Sequence, residues 1–176
     1  ADGEEFVVRA RSVVSATGVW IDDIHRMETN SESRTVRPAK GIHLTFPWEK
    51  VRNDIAAVIP VPKDRRSLFV VPWLPNEDGT FKYTYVGTTD TQYDGPVDDP
   101  QCTLDDIDYV IAALNNSITS PVTREDVVGV WAGLRPLVAP AEGETLKART
   151  ADLSRRHRVS VGASGVISIS GGKLTT

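Results

Sequence analysis

The stretch VISISGGKLTT, residues 166–176, carries alternating apolar residues that run into two glycines. Alternation with a period of two is typical of a half-buried strand, and paired glycines permit a tight turn with positive φ. A strand and turn of this kind lead into a helix N-terminus, whose free N–H groups and dipole suit an anion. Lys173 adds a positive charge there. The phosphate-binding pattern G-x-x-x-x-G-K-[ST] is not met, so a plain tight turn is the alternative interpretation.

A second strand with a small-residue turn lies near the start of the chain. Residues 6–10 (FVVRA) and 12–16 (SVVSA) predict two short strands, and the second ends in Ala-Thr-Gly at 16–18. Apolar residues at helical spacing over 21–27 predict a helix after this turn. Small residues let a bulky ligand pass close to the backbone, but Gly18 closing a strand-to-helix turn explains them as well.

Between these two turns the pattern predicts a sheet with mostly local connections. The clearest helix covers 103–117, where Thr103 and Asp106 form a capping-box start and Leu104, Ile107, Ile111 and Leu114 form the apolar stripe. Short connections favour antiparallel pairing, so the fold class is α+β: a mixed, largely antiparallel sheet with a few helices. Strands are predicted at 42–46, 56–61, 67–73, 82–90 and 127–138, with a closing hairpin around 164–165, and loops at 31–41 and 139–150.

Composition narrows the function classes. The 176 residues are 40% hydrophobic and 25% charged, an ordinary globular balance, and no apolar run approaches the length of a membrane-spanning helix. A net charge of −4 argues against nucleic-acid binding. Cys102 is the single cysteine, and the three histidines lack metal-ligand spacing, so we expect no metal site.

Two polar residues stand inside apolar strands. Arg135 in WAGLRPLV (131–138) must be paired if it is buried, either in an ion pair with a carboxylate or with an anionic substrate held in a cleft. His43 alternates with Ile42 and Leu44, and is either a structural histidine or an acid–base group. Neighbouring Lys40 is interpreted as a loop charge.

Taken in order, these segments resemble the FAD-dependent (aerobic) glycerol-3-phosphate dehydrogenases over nearly the whole chain. The matching stretches are ATGVW (16–20), RPAKGIHL (37–44), VVPW (70–73), GTTDTQY (87–93), DDIDYVIAALN (105–115), WAGLRPLV (131–138), LSRRH (153–157) and SISGGKLTT (168–176). The resemblance implies a fold like that of D-amino-acid oxidase, with an FAD-binding domain at 1–30 and 151–176 and a substrate-binding domain at 31–150.

The resemblance also implies a reaction and the residues that serve it. Family members oxidise sn-glycerol 3-phosphate to dihydroxyacetone phosphate with FAD and usually pass electrons to membrane quinone. By this resemblance Arg135 and Lys173 act at the substrate, and His43 crosses near the flavin. The residues implied to line FAD are Ala16, Thr17, Gly18, Gly171, Gly172, Lys173, Leu174 and Thr175.

The family's G-x-G-x-x-G dinucleotide fingerprint and its C-terminal helical domain have no counterpart in these 176 residues. We therefore expect an internal piece of a cytoplasmic enzyme, with peripheral contact of the complete enzyme on the inner face of the membrane, and no activity of the piece alone. The alternatives are a glycerol-3-phosphate oxidase, an amino-acid-oxidising relative, and a non-catalytic binding domain.

Overall fold

The computed structural model describes residues 3, 5–30, 32–62, 66–139 and 156–172. Single turns of 3₁₀ helix at Gly18–Trp20 and Arg124–Asp126 accompany the regular elements. The helices are α1 (Ile21–Thr29), α2 (Trp48–Val51) and α3 (Leu104–Asn115). The strands are β1 (Val14–Ser15), β2 (Val36–Pro47), β3 (Ala57–Pro60), β4 (Ser67–Pro75), β5 (Phe81–Gly87), β6 (Thr91–Gln92), β7 (Gly129–Val138), β8 (Arg158–Val161) and β9 (Ile167–Ser170).

The strands described form two sheets. In the larger sheet β3, β4, β5 and β2 are hydrogen-bonded in this order, and β6 and β7 each pair with β2 as well. Its registered pairs, including His43 opposite Gly87 and Val70 opposite Val86, are antiparallel. The smaller sheet has the order β1-β9-β8, with β1 parallel and β8 antiparallel to β9. This confirms the predicted α+β class with a mixed, largely antiparallel sheet.

The chain divides into two compact units. The first comprises Ala1–Pro38 with Pro136–Thr176 and contains α1 and the smaller sheet, whereas the second is the continuous stretch Ala39–Arg135. Strands β2 and β7 contribute residues to both units. The domain limits of 1–30, 31–150 and 151–176 refer to a complete two-domain fold and stay a prediction.

The core of the second unit lies between the larger sheet and α3. Along β2, the alternate residues Ile42, Leu44 and Phe46 have no exposed surface because the period of two directs them to one face. They pack in one cluster with Val110 and Leu114 of α3. Burial of these apolar surfaces is the main stabilising term for this unit.

Helix α3 begins as the sequence predicts and buries most of the predicted stripe. Thr103 Oγ1 accepts a hydrogen bond from the Asp106 N–H, and the Asp106 carboxylate accepts one from the Thr103 N–H, which confirms the capping box. Leu104 was assigned to the buried stripe, and this is wrong because its side chain is 60% exposed. Leu114 is buried as predicted, together with Val110 and Ala113, and Ile107 and Ile111 are partly buried against the core.

Two local predictions differ from the structure. Residues 6–10 form no strand; apolar Phe6 and Val7 are exposed, and the segment is not paired with any described strand. Residues 31–41 were predicted to be a loop, yet β2 already begins at Val36. Charge in this segment concealed the strand, since Lys40 is buried beside a carboxylate. The loop predicted at 139–150 lies, apart from residue 139, outside the described residues.

Candidate active site

The face of the larger sheet that points away from α3 carries aromatic and polar side chains, and we call it the open face. On β2, His43 and Thr45 alternate with the core residues and therefore lie on it. Cross-strand pairing adds Gly87 and Phe69 to the same row as His43. The ring of Trp131 on β7 also lies there, 4.1 Å from the His43 ring with an interplanar angle of 8°.

His43 is held by packing on both sides. Its imidazole stacks on Trp131, and Gly87 on β5 leaves room beneath it: a Cβ at Gly87 would approach His43 Cδ2 to 2.5 Å. Within the described part of the chain, His43 Nδ1 is buried and has no hydrogen-bond partner. Burial lowers the pKa of His43, and the positive charge of Arg135 lowers it further. The ring is therefore neutral near pH 7 and can accept a proton.

Arg135 reaches across the sheet from β7. Its Nη1 donates to the carbonyl oxygen of Thr89 at 3.0 Å and its Nη2 donates to Thr88 Oγ1 at 2.8 Å. The Asp90 carboxylate lies at 3.9 Å from Nη1, and 26% of the Arg135 side chain is exposed. Arg135 is thus neither a solvent-facing arginine nor half of a fully buried ion pair. The two hydrogen bonds fix the plane of its guanidinium, which suits it to bind an anion.

The Arg135 guanidinium and His43 lie on the same face. A Cβ built on Gly41 would meet the guanidinium, and Gly41 and His43 are two residues apart on β2, so their side-chain directions coincide. The spacing along the strand is about 7 Å. The open face therefore presents a fixed cation and a neutral imidazole side by side.

The smaller sheet brings the two glycine turns to one edge. Because β1 and β9 run parallel, the turn at 16–18 and the turn at 171–172 both follow the carboxyl ends of their strands. Gly18, Gly171 and Gly172 have φ of 61°, 71° and 91°, a conformation that favours glycine. Ligands of open α/β sheets bind at this kind of edge. Lys173, Leu174 and Thr175 lie outside the described residues.

His25 on α1 braces this edge, a role that sequence reasoning missed. Its Nδ1 lies 3.0 Å from Thr35 Oγ1, and its Nε2 lies 3.0 Å from the hydroxyl of buried Ser168 on β9. Asp22, in the first turn of α1, accepts a hydrogen bond of 2.7 Å from the Thr35 N–H. These contacts tie α1 to β9, directly below the Gly171-Gly172 turn. Side-chain bonds between residues so far apart in the chain leave no short-range pattern.

Lys40 was interpreted as a loop charge, and this is wrong. Its Nζ lies 2.6 Å from Asp106 Oδ2 and donates to the Gln101 carbonyl at 3.0 Å, with only 7% of either side chain of the ion pair exposed. Burial alone would raise the pKa of Asp106, but hydrogen bonds from Lys40 and Thr103 outweigh it and hold the pKa below its usual value. The pair belongs to the core face, opposite the face that carries His43.

The described residues show neither a membrane helix nor a metal cluster. No described helix combines the length and apolarity needed to cross a bilayer. Nor do three or more histidine, cysteine or acidic side chains converge as a metal-binding group within the described ranges.

Comparison with known proteins places these features in context. The profile of the FAD dependent oxidoreductase family (DAO) matches residues 1–176. Glycerol-3-phosphate dehydrogenase 2 of Mycobacterium tuberculosis is 38% identical over 169 residues, 96% of this chain and 26% of that protein. The aerobic glycerol-3-phosphate dehydrogenase of Staphylococcus aureus is 36% identical over 173 residues, 98% of this chain and 29% of that protein.

A solved structure shows the same relationship. The X-ray structure of the glycerol-3-phosphate dehydrogenase from Bacillus halodurans, complexed with FAD, is 34% identical and aligns with a TM-score of 0.74. The alignment covers 96% of this chain and 29% of that one. The chain therefore spans less than a third of the length of the relatives named here.

Proposed function

The chain belongs to the FAD dependent oxidoreductase family, and from this premise we propose that it is a segment of an FAD-dependent glycerol-3-phosphate dehydrogenase. The reaction is the oxidation of sn-glycerol 3-phosphate to dihydroxyacetone phosphate. The similarity to enzymes of that name over nearly all of this chain supports the substrate. The observation that carries the proposal is the fixed guanidinium of Arg135 beside His43 on the open face.

The glycine turns of the smaller sheet fit the cofactor. We assign FAD to Ala16, Thr17 and Gly18 at one strand end and to residues 171–175 at the other. The parallel strand ends and the three glycines with positive φ support this assignment, because they bring bare backbone to a single edge. When bound, FAD supplies the acceptor for the hydride that leaves C2 of the substrate.

Arg135 and His43 take different parts in the reaction. As C2 loses its hydride, the C2 hydroxyl loses a proton and negative charge develops on oxygen. Arg135 holds the phosphate or this developing oxyanion, and because Thr88 and Thr89 have already fixed its plane, little reorganisation is needed. Neutral His43 is the candidate base, with a residue outside this chain as the alternative. Lys173 assists at the oxygen or at the flavin.

The electron acceptor is proposed to be a membrane quinone, used by a cytoplasmic enzyme in peripheral contact with the membrane. Oxygen is the acceptor under the oxidase alternative, and an amino acid is the substrate under the alternative of an amino-acid-oxidising relative. Three assays on purified full-length protein separate these. We expect glycerol 3-phosphate to bleach the flavin absorbance without air, glycine and proline to leave it unchanged, and a quinone analogue to restore it faster than oxygen. A full-length protein without flavin absorbance would leave the non-catalytic binding domain as the remaining alternative.

Replacing one arginine tests the assigned role. In the full-length enzyme, Arg135→Lys keeps the charge but loses the planar fork. Loss of one charged hydrogen bond of roughly 1.5–3 kcal/mol lowers kcat/KM about 10- to 150-fold. The matched control is Arg124→Lys, since Arg124 pairs with Asp108 on the exposed surface of the same unit. If Arg135→Lys and Arg124→Lys had the same kcat/KM, Arg135 would not act on the substrate.

A further inference from the structure

The position of Gly41 beneath the Arg135 guanidinium carries the inference. Gly41 is a buried residue of β2 without positive φ, so its backbone conformation does not require glycine. A Cβ at this position would lie 2.5 Å from Arg135 Nη1 and 2.6 Å from Thr88 Oγ1, and would also contact Nη2. Real Cβ atoms do not approach other atoms this closely. The absence of a side chain at 41 is therefore a requirement of space alone.

The course of the neighbouring strands explains why the space is needed. On one side of β2, β5 ends at Gly87 and β6 begins at Thr91, so residues 88–90 leave the ladder beside Gly41. Thr89 Oγ1 replaces the missing ladder contacts by accepting from the Ile42 N–H at 3.1 Å and donating to the Lys40 carbonyl at 3.3 Å. Strand β7, which carries Arg135, also pairs with β2. The Arg135 side chain crosses Gly41 to reach residues 88–89.

We propose that Gly41 is a positioning residue, which lets the Arg135 guanidinium lie against the β2 backbone at the depth where Thr88 and Thr89 hold it. This rests on the proposed function, in which Arg135 acts on the substrate. The two hydrogen bonds set the plane of the guanidinium, and the bare backbone at 41 sets its height above the sheet. A methyl group there displaces the guanidinium toward solvent without disturbing the strand, because the clashing atoms are the ends of side chains.

The chain offers a matched control. Gly133 lies on β7 two residues from Arg135, so it shares the same face, and a Cβ built on it meets no atom within 4 Å. It has no positive φ either. Gly133→Ala therefore adds the same methyl group beside the site without touching the guanidinium.

The experiment uses full-length enzyme with Gly41→Ala, Gly133→Ala, Arg135→Ala and the double variant Gly41→Ala/Arg135→Ala. Since a misplacement of about 1 Å lowers rates by about 100-fold, kcat/KM for glycerol 3-phosphate is expected to fall about 100-fold in Gly41→Ala and less than about twofold in Gly133→Ala. Adding Gly41→Ala to Arg135→Ala is expected to change nothing further, because no guanidinium remains to be displaced.

A crystal structure of full-length Gly41→Ala gives a readout independent of turnover. We expect the bonds from Arg135 to Thr88 and Thr89 to be lost while β2 keeps its register. Gly41→Ala with normal kinetics, an equal loss in the Arg135→Ala background, or a guanidinium that stays in place would each overturn the inference while leaving the proposed function intact. Normal kinetics of Arg135→Ala would instead overturn the proposed role of Arg135, and the inference with it.

Discussion

Removing the buried charge of Lys40 is expected to destabilise the protein strongly. In water-poor surroundings with an effective dielectric constant of about 20, unit charges 2.6 Å apart attract by about 6 kcal/mol. Lys40→Met removes this attraction and leaves the Asp106 carboxylate buried with hydrogen bonds from Thr103 alone. Partial rehydration offsets some of the loss, so the free energy of unfolding is expected to fall by about 3–5 kcal/mol.

Adding Asp106→Leu to Lys40→Met is expected to restore much of that stability. Lys40→Met combined with Asp106→Leu leaves no buried charge, and its remaining deficit of about 1–2 kcal/mol is the lost cap of α3. Lys50→Met is the control, because Lys50 pairs with Asp126 at 2.7 Å but is half exposed. Its unfolding midpoint is expected to stay close to that of the wild type.

Urea unfolding of the full-length protein at pH 7 measures these differences, with equal m-values showing that the same transition is compared. Because the pKa of Asp106 is held below its usual value, the stabilisation from its carboxylate is present above about pH 4 and is lost as the pH falls through the lowered pKa. A Lys40→Met variant as stable as the wild type, or a double variant less stable than Lys40→Met alone, would refute the reasoning.

Three further changes have defined outcomes. Phe46→Ala empties a site with no exposed surface and is expected to lower the free energy of unfolding by about 3–5 kcal/mol in urea, whereas Phe69→Ala, which is half exposed, shows a much smaller loss. The pKa of His43, measured by NMR in the full-length protein, is expected to lie below 6.5 and to move closer to 6.5 in Arg135→Met. Because this pKa is lowered in the folded state, the free energy of unfolding is expected to rise with pH up to about 6.5. The isolated 176-residue chain with added FAD is expected to show no turnover of glycerol 3-phosphate, and robust turnover would contradict this.

The elements that sequence predicts well are those with strong local rules. Helix α3 follows from apolar spacing and the Thr103–Asp106 cap, and β7 follows from its β-branched run. The strand predicted at 12–16 is longer than the observed β1. The length of a strand depends on its partner, and the partner β9 lies far along the chain. Local pattern carries no information about such pairing.

Site residues were predicted from the oddity of a polar group in an apolar strand. That rule selected Arg135 and His43, whose roles stay predictions, but it says nothing about what surrounds them. Thr88 and Thr89 hold the guanidinium, and no local sequence pattern indicates this. Gly41 carried no signal, since the closeness of its Cα to Arg135 depends on how β2 and β7 pair. Contacts made through sheet register are invisible until the register is known.

The parallel pairing of β1 with β9 has a consequence for biosynthesis. Val14 and Ile167 become partners only when about 150 further residues have left the ribosome, which takes about 8 to 30 s at 5–20 residues per second. The continuous unit Ala39–Arg135 is completed well before that time. The nascent chain therefore exposes the edge of β1 that pairs with β9 while the intervening unit is synthesised.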